Sequence, residues 1–322
     1  MILAGIDIGT NTIRLLIVEM NDATCNELYS GRTVTRLGQD LDRTGILSQE
    51  AQDRTCAALQ QFSTVINKIS PIKIRVVGTS ALRNASNADV FIRRVKEELD
   101  LDVQIISGQD EARLTLSGVK RAFMHVDGRQ RDLLKNALVM DIGGGSTEII
   151  LTRHGDVQFV ESLPLGAVYL TERFLQNDPP DEQGIRNLKR KISSELTAWK
   201  GSSIMPVTAC VGTAGTITTL AAMDQSLVEY DPEKINGYVL SKMSVDRLVD
   251  RLATSTRQER STMAGLEPGR EDIVLAGTII VQQIMEQYGC FDILVSDWGL
   301  REGIVFDLYE TGIADPACQG PR

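Results

Sequence analysis

Val139-Met140-Asp141-Ile142-Gly143-Gly144-Gly145-Ser146-Thr147-Glu148-Ile149-Ile150-Leu151 is the stretch on which the reading of this chain turns. An apolar run ends in Asp141, three glycines and a Ser-Thr pair follow, and a second apolar run begins after Glu148. The pattern predicts strand, tight turn, strand. Glycines at 143, 144 and 145 allow φ > 0 and let a ligand approach the backbone with no Cβ in the way. Successive amide N–H groups in such a turn form an anion-binding concavity. Asp141 and Glu148 flank it with hard oxygen ligands for a divalent cation. A phosphate with its Mg²⁺ is the simplest occupant. The plainer reading is a glycine-rich hairpin with two solvated acids.

The beginning of the chain repeats this pattern. Gly5-Ile6-Asp7-Ile8-Gly9-Thr10-Asn11-Thr12-Ile13-Arg14-Leu15-Leu16-Ile17 lies over Val139–Leu151 at an offset of 134 residues. Asp7 matches Asp141, Ile8 matches Ile142 and Gly9 matches Gly143. Two copies of one supersecondary unit, a domain's length apart, predict two similar halves facing each other.

Length and composition narrow the class. The 322 residues suit two domains. With 42% apolar and 24% charged residues, the composition is that of a soluble globular protein. No apolar run approaches the ~18 residues of a membrane span. The opening MILAGIDIGTNT reads as a first strand rather than a signal peptide, so the expected location is cytoplasmic. A net charge of −9 argues against nucleic-acid binding. Cys25, Cys56, Cys210, Cys290 and Cys318 are scattered with no C-x-x-C, which predicts neither a zinc site nor a disulfide framework. His125 and His154, the only histidines, are expected on the surface or in loops.

In order, a third strand is expected from Cys25 to Leu37. A helix follows from Gln49 to Ile69, capped by Ser48 and closed by Pro71. Strands at Lys73–Val77 and Val103–Ile106 lead into helices from near Ala88 and to about Phe123. Strands alternating with helices imply an α/β fold with a parallel or mixed sheet. Met124–Asn136 reads as an exposed connection. After the central hairpin come a strand at Val157–Leu163, a helix through Leu175 and a helix over Glu182–Lys200. The latter carries Arg186, Lys189, Arg190 and Lys191, a solvated basic face or a contact for a long anion. Pro206–Cys210 is read as a strand running into Val211-Gly212-Thr213-Ala214-Gly215-Thr216 and a helix, whose N-terminus offers free N–H groups. Helices at Val245–Ala253 and Arg270–Tyr288, a strand at Ile293–Ser296 and a helix to about Tyr309 complete the chain.

There is no P-loop lysine motif and no Ser-His-Asp set. The acidic turn Gln109-Asp110-Glu111-Ala112-Arg113 lies at a strand's end, where α/β crevices hold ligands. A carboxylate there can take a proton from water attacking a terminal phosphate. Alternatively, Asp110 and Glu111 serve only to start a helix through its dipole.

GIDIGTNTIRLLIVE (5–19), VVGTSALRNASNA (76–88), ISGQDEARL (106–114), VMDIGGGSTEII (139–150), VGTAGTIT (211–218) and SDWGLREG (296–303) together resemble the exopolyphosphatase / guanosine pentaphosphate phosphohydrolase (Ppx/GppA) family, over nearly all of the chain to residue 309. The resemblance implies an actin-like (sugar kinase/Hsp70/actin-type) ATPase fold, α/β, with two similar domains and an interdomain cleft. The expected domains are 1–122 plus 298–310, and 123–297, followed by a tail at 311–322. It implies metal-dependent release of orthophosphate from the terminal phosphoanhydride of polyphosphate, of pppGpp, or of both, with Mg²⁺ or Mn²⁺.

Carried over position by position, the resemblance makes Glu111 the general base, and Asp141 and Glu148 the metal-associated acids. Gly143, Gly144, Gly145 and Ser146 match the main phosphate loop, and Gly212, Thr213, Ala214 and Gly215 the second. Asn11 and Arg83 match phosphate contacts on the first domain. The acidic turn is Asp110-Glu111 where Glu-Glu is commoner. Long members carry a further C-terminal helical domain related to His-Asp phosphohydrolases; the expectation here is the short two-domain form, which would lack that domain's holding surface for extended polyphosphate. A homodimer is compatible with this reading. Two other classes stay open: an actin-fold small-molecule kinase or ATPase, and a non-catalytic polyphosphate or alarmone sensor.

Overall fold

The computed structural model describes residues 1–21, 24–124, 132–199 and 207–314. His125, Lys200, Pro206, Cys318 and most of the expected Met124–Asn136 connection lie outside them. The chain divides into two compact units, one formed by Met1–Gly118 with the chain from Leu300 onward, the other by Val119–Gly299.

The first unit is built on a five-stranded sheet in the order β3-β2-β1-β4-β5. β1 (Ile2–Ile8), β2 (Thr12–Met20) and β3 (Cys25–Val34) form an antiparallel meander, and β4 (Lys73–Gly78) and β5 (Val103–Ile105) continue it in parallel. β1 and β2 are apolar and buried on both faces, as strands covered on two sides must be. One cover is helix Gln49–Ile69, whose Leu59, Phe62 and Ile66 recur at helical spacing and are buried. Ser48 caps it by accepting from the Ala51 N–H, and Ser70 closes it at φ 57. On β1, Gly5 leaves room for Ile304 and Val305 of the last helix, Leu300–Ala314. A Cβ at residue 5 would come within 3.0 Å of both side chains. That helix continues through Ala314, beyond the point where the composition turns tail-like.

The second unit holds a six-stranded sheet, β10-β11-β9-β6-β7-β8. β6 (Ala137–Ile142), β7 (Thr147–Arg153) and β8 (Asp156–Leu163) form the meander; β9 (Ala209–Thr213) and β11 (Asp292–Val295) add in parallel. Read from its β8 edge, β8-β7-β6-β9-β11 has the order and sense of β3-β2-β1-β4-β5. The repeat extends to the turns: Gly9 N–H donates to Thr12 O at 3.1 Å, and Gly143 N–H to Ser146 O at 3.0 Å. The sheet's core is closed by helices Ala214–Asp224 and Val274–Tyr288, both buried nearly all round. Trp199 meets Tyr288 edge to face, with ring centroids 5.9 Å apart.

Several boundaries differ from expectation. β9 runs on through Gly212 and Thr213, so the glycine turn there is shorter than predicted. The long helix begins at Val274 rather than Arg270, leaving Arg270 in a loop. β10 (Val239–Ser241) was not foreseen; three residues on an edge leave no period to detect. The basic face of helix Glu182–Ala198 is solvated, with Arg186 paired to Glu182 and Lys191 to Glu195. His154 is exposed, at φ 54 in the β7–β8 turn. Among the described residues no helix is long and apolar enough to cross a membrane.

The cysteines need a correction. Cys210 and Cys290, 80 positions apart, form a disulfide with Cα atoms 6.3 Å apart. Sequence spacing hides this closeness, because β9 and β11 become neighbours only in the folded sheet. Cys25 and Cys56 carry no disulfide.

Candidate active site

In the second unit, strand register assembles the expected residues at one edge of the sheet. Asp141 on β6 stands opposite Glu148 on β7 and opposite Thr213 on β9. Directly opposed residues of adjacent strands have Cβ atoms about 4.5–5.5 Å apart. The Gly143–Ser146 turn and the Thr213–Gly215 turn therefore leave the sheet side by side, at the carboxyl ends of β6 and β9, where open α/β sheets place ligands.

Both acids are buried, Asp141 at 7% exposure and Glu148 at 1%. Glu148 Oε1 accepts from Ser146 Oγ at 2.9 Å and from Ser162 Oγ at 2.6 Å. Like charges directly opposed across a ladder repel, so this pair suits a site completed by a cation. Mg²⁺ takes one or two carboxylates and fills its shell with water and substrate phosphate. The donor set fits that habit. Among the described residues no group of three or more His, Cys, Asp or Glu offers an all-protein cage.

The main turn is shaped differently from the expectation. Gly143, Gly144 and Gly145 are all absent from the left-handed region. Their service is open backbone. Gly143 O accepts from Ala167 N–H at 3.0 Å, and Gly144 O from Val168 N–H at 2.8 Å, which seats the start of helix Ala167–Phe174 on the turn. A Cβ at Gly166 would overlap Gly144 O and the Gly145 backbone. With carbonyls turned to that helix, the N–H groups of Gly144 and Gly145 have no backbone acceptor among the described residues.

The second turn carries the left-handed residue, Ala214 at φ 68, followed by helix Ala214–Asp224. Non-glycine residues reach that region at a cost of about 1–2 kcal/mol. Thr213 Oγ1 donates to Trp298 O at 2.9 Å, and Ser296 N–H to Gly212 O at 2.8 Å, so the Ser296–Gly299 stretch braces the turn.

Arg270 is the residue the sequence reading missed. Buried to 7% exposure, it holds its guanidinium where a Cβ of Gly215 would be, within 2.6 Å of Cζ. Its Nε donates to Glu267 Oε2 at 2.6 Å. A guanidinium beside the positive end of a helix is an arrangement that an anion relieves. No periodicity marks an arginine in a loop; only its neighbourhood does. Ser162 escaped for a similar reason, being assigned to Glu148 by cross-strand register alone.

In the first unit, Asn11, Arg83 and Glu111 follow the carboxyl ends of β1, β4 and β5. Asn11 is buried, its Oδ1 has no hydrogen-bond partner, and its backbone O accepts from Thr35 and Arg36 at 3.0 and 2.9 Å. Arg83 Nη1 donates to Glu111 Oε2 and to Ile106 O, each at 2.9 Å. The acidic turn divides its labour. Asp110 is exposed and starts the helix with Ser107, whose Oγ accepts from Asp110 N–H at 3.1 Å. Glu111 is buried at 7% exposure and engages Arg83. Both acids lie in the first turn of helix Gly108–Ala122, as the helix-start reading expects, and Glu111 in addition engages Arg83.

With this geometry in hand, relatives are informative. The profile of the Ppx/GppA phosphatase family matches residues 16–311. The chain belongs to the Ppx/GppA phosphatase family. It is 32% identical over 319 residues to "Exopolyphosphatase 2" of Mycobacterium tuberculosis H37Rv, covering 95% of this chain and 98% of that one. It is 33% identical over 311 residues to the "Bifunctional 3-dehydroquinate synthase/phosphatase" of Fusobacterium nucleatum, matching 91% of this chain but only 44% of that longer protein. Among solved Ppx/GppA-like structures, an exopolyphosphatase from Cytophaga hutchinsonii superposes with TM-score 0.87 at 30% identity, covering 97% of this chain and 98% of that one. The fold is accordingly the α/β, actin-like arrangement of the Ppx/GppA family.

Proposed function

We propose that this chain hydrolyses the terminal phosphoanhydride of inorganic polyphosphate, of pppGpp, or of both, releasing orthophosphate. The observation that carries the reading is the convergence of two backbone turns with Asp141 and Glu148 at one sheet edge. Membership in a phosphatase family supports it, as do relatives bearing the exopolyphosphatase name.

In this reading the free N–H groups of Gly144 and Gly145 donate to oxygens of one phosphoryl group. The N-terminus of helix Ala214–Asp224, with Arg270, holds the neighbouring phosphate, and Asn11 and Arg83 are the further phosphate contacts. Glu111 accepts a proton from the attacking water, oriented by the Arg83 bond. The water oxygen bonds to the terminal phosphorus, and the bridging P–O bond breaks toward the shortened chain. Asp141 and Glu148 would hold Mg²⁺ or Mn²⁺, which supplies positive charge against the phosphoryl oxygens. Donors already fixed where charge develops spare the reaction the reorganisation that water would need.

The test is orthophosphate release from polyphosphate, pppGpp and ATP, with and without divalent cation, for wild type and Glu111→Gln. Cation-dependent release from polyphosphate or pppGpp, lost in the variant, supports the reading. Binding of both substrates without release overturns it.

A further inference from the structure

A cavity of about 450 Å³ opens beside the Cys210–Cys290 disulfide in the second unit. Both sulfur-bearing residues line it, together with Val239, Phe291 and Leu133. Cys210 and Cys290 are otherwise covered, at 3% and 7% exposure, whereas Val239 and Phe291 are 54% and 79% exposed. The volume lies within the range that holds small molecules.

The position of the bridge is also informative. Cys210 lies on β9, two residues before Gly212, and Cys290 lies between helix Val274–Tyr288 and β11. β9 continues into the Thr213 turn, and β11 into the Ser296–Gly299 stretch that braces it. The bridge therefore fastens the upstream parts of the two segments that form the second turn.

We propose that Cys210 and Cys290 form a thiol–disulfide exchange site, served through this cavity by a small-molecule thiol and its disulfide. For reduction, a thiolate RS⁻ attacks Sγ of Cys290, the more exposed of the two residues. The protein S–S bond breaks, and Cys210 leaves as a thiolate that takes a proton from solvent. A second thiolate attacks the R sulfur of the mixed disulfide, RSSR departs, and Cys290 leaves as the second thiolate. Two thiols thus give two electrons to the protein disulfide; oxidation is the same sequence reversed, with RSSR as oxidant.

This inference does not depend on the phosphatase reading, because its readouts are the thiols themselves. The full chain is equilibrated in mixtures of reduced and oxidised glutathione, quenched in acid, alkylated and mapped by mass spectrometry. Cys210 and Cys290 should lose and regain alkylation together, while Cys56 stays alkylated throughout. In Cys210→Ser, Cys290 should form a mixed disulfide with glutathione at least tenfold faster than Cys56 does. Phe291→Ala, an exposed change that leaves the core intact, should speed reduction severalfold, and Val239→Trp should slow it, with the midpoint ratio unchanged in both. Independent titration of the two cysteines, no mixed disulfide on Cys290, or equal rates in both cavity variants would overturn the proposal.

Discussion

Arg83 Nη1 lies 2.9 Å from Glu111 Oε2, so two residues assigned different tasks form one ion pair. Removing either takes an opposite charge away from a side chain that is largely out of solvent. Glu111→Gln is expected to lower kcat by roughly 10²–10⁴-fold, the usual worth of a general base. Arg83→Gln should cost a comparable factor, because in the proposed mechanism Arg83 both orients the base and contacts the substrate. The double variant should lose little more than the worse single one, as groups acting as a unit do. Additive losses in a steady-state cycle would show that the pair does not act as a unit.

Gly215 and Arg270 share one space. Gly215→Ala is predicted to push the guanidinium off the helix start and to cut kcat/KM by about 10–10²-fold, mainly through KM. Arg270→Lys should do likewise, since an ammonium lacks the fork and reach. Wild-type KM in Gly215→Ala would remove Arg270 from the site. Gly166→Ala meets backbone instead of a side chain, and should destabilise the fold by about 1–3 kcal/mol in urea unfolding.

Ser162 donates to the same carboxylate oxygen as Ser146. Ser162→Ala leaves a buried charge with one donor fewer, at an expected cost of about 1–2 kcal/mol. The loss should grow when saturating Mg²⁺ is added, because a variant that binds the ion more weakly gains less from mass action. An identical loss with and without Mg²⁺ would separate Ser162 from any cation site.

Alkaline stability should depend on tyrosine. Burial and the bond to Asp224 Oδ2, 2.8 Å away, push the Tyr238 phenol up to about 12 from an ordinary 10.0. Burial raises Tyr288 as well. Below pH 10 both states keep the protons, and the full stabilisation is present. Above it the unfolded chain releases them first, so stability falls as pH rises toward about 12. Tyr238→Phe should flatten part of that fall, by about 1 kcal/mol after solvent screening. A thermal midpoint with the same slope between pH 9 and pH 11 in both proteins would contradict the assignment.

The architecture was legible because its signals are local and repeated. Ser48 and Pro71 bracket helix Gln49–Ile69 at the residues observed. The 134-residue offset predicted a duplicated hairpin, and β1–β2 and β6–β7 have the same register around their turns. What escaped depends on tertiary contact. No run of sequence tells that Arg270 covers Gly215, or that Cys290 reaches Cys210. The glycines misled in one respect, since a position needing space above its backbone and one needing positive φ look alike in sequence. Ala214, the residue in the left-handed region, is not a glycine at all.

The duplicated hairpins have a consequence for ion stoichiometry. In register, Arg14 opposes Asp7 where Glu148 opposes Asp141. One copy therefore sums to zero charge (−1 and +1), and the other to two negative charges (−1 and −1). The first hairpin places a cationic side chain opposite its acid; the second places another acid there. Under the proposed function, the expected stoichiometry is one divalent ion per chain, at the second hairpin, checked by calorimetric titration with Mg²⁺. Replacing Arg14 by Glu would be the single exchange that restores the symmetry.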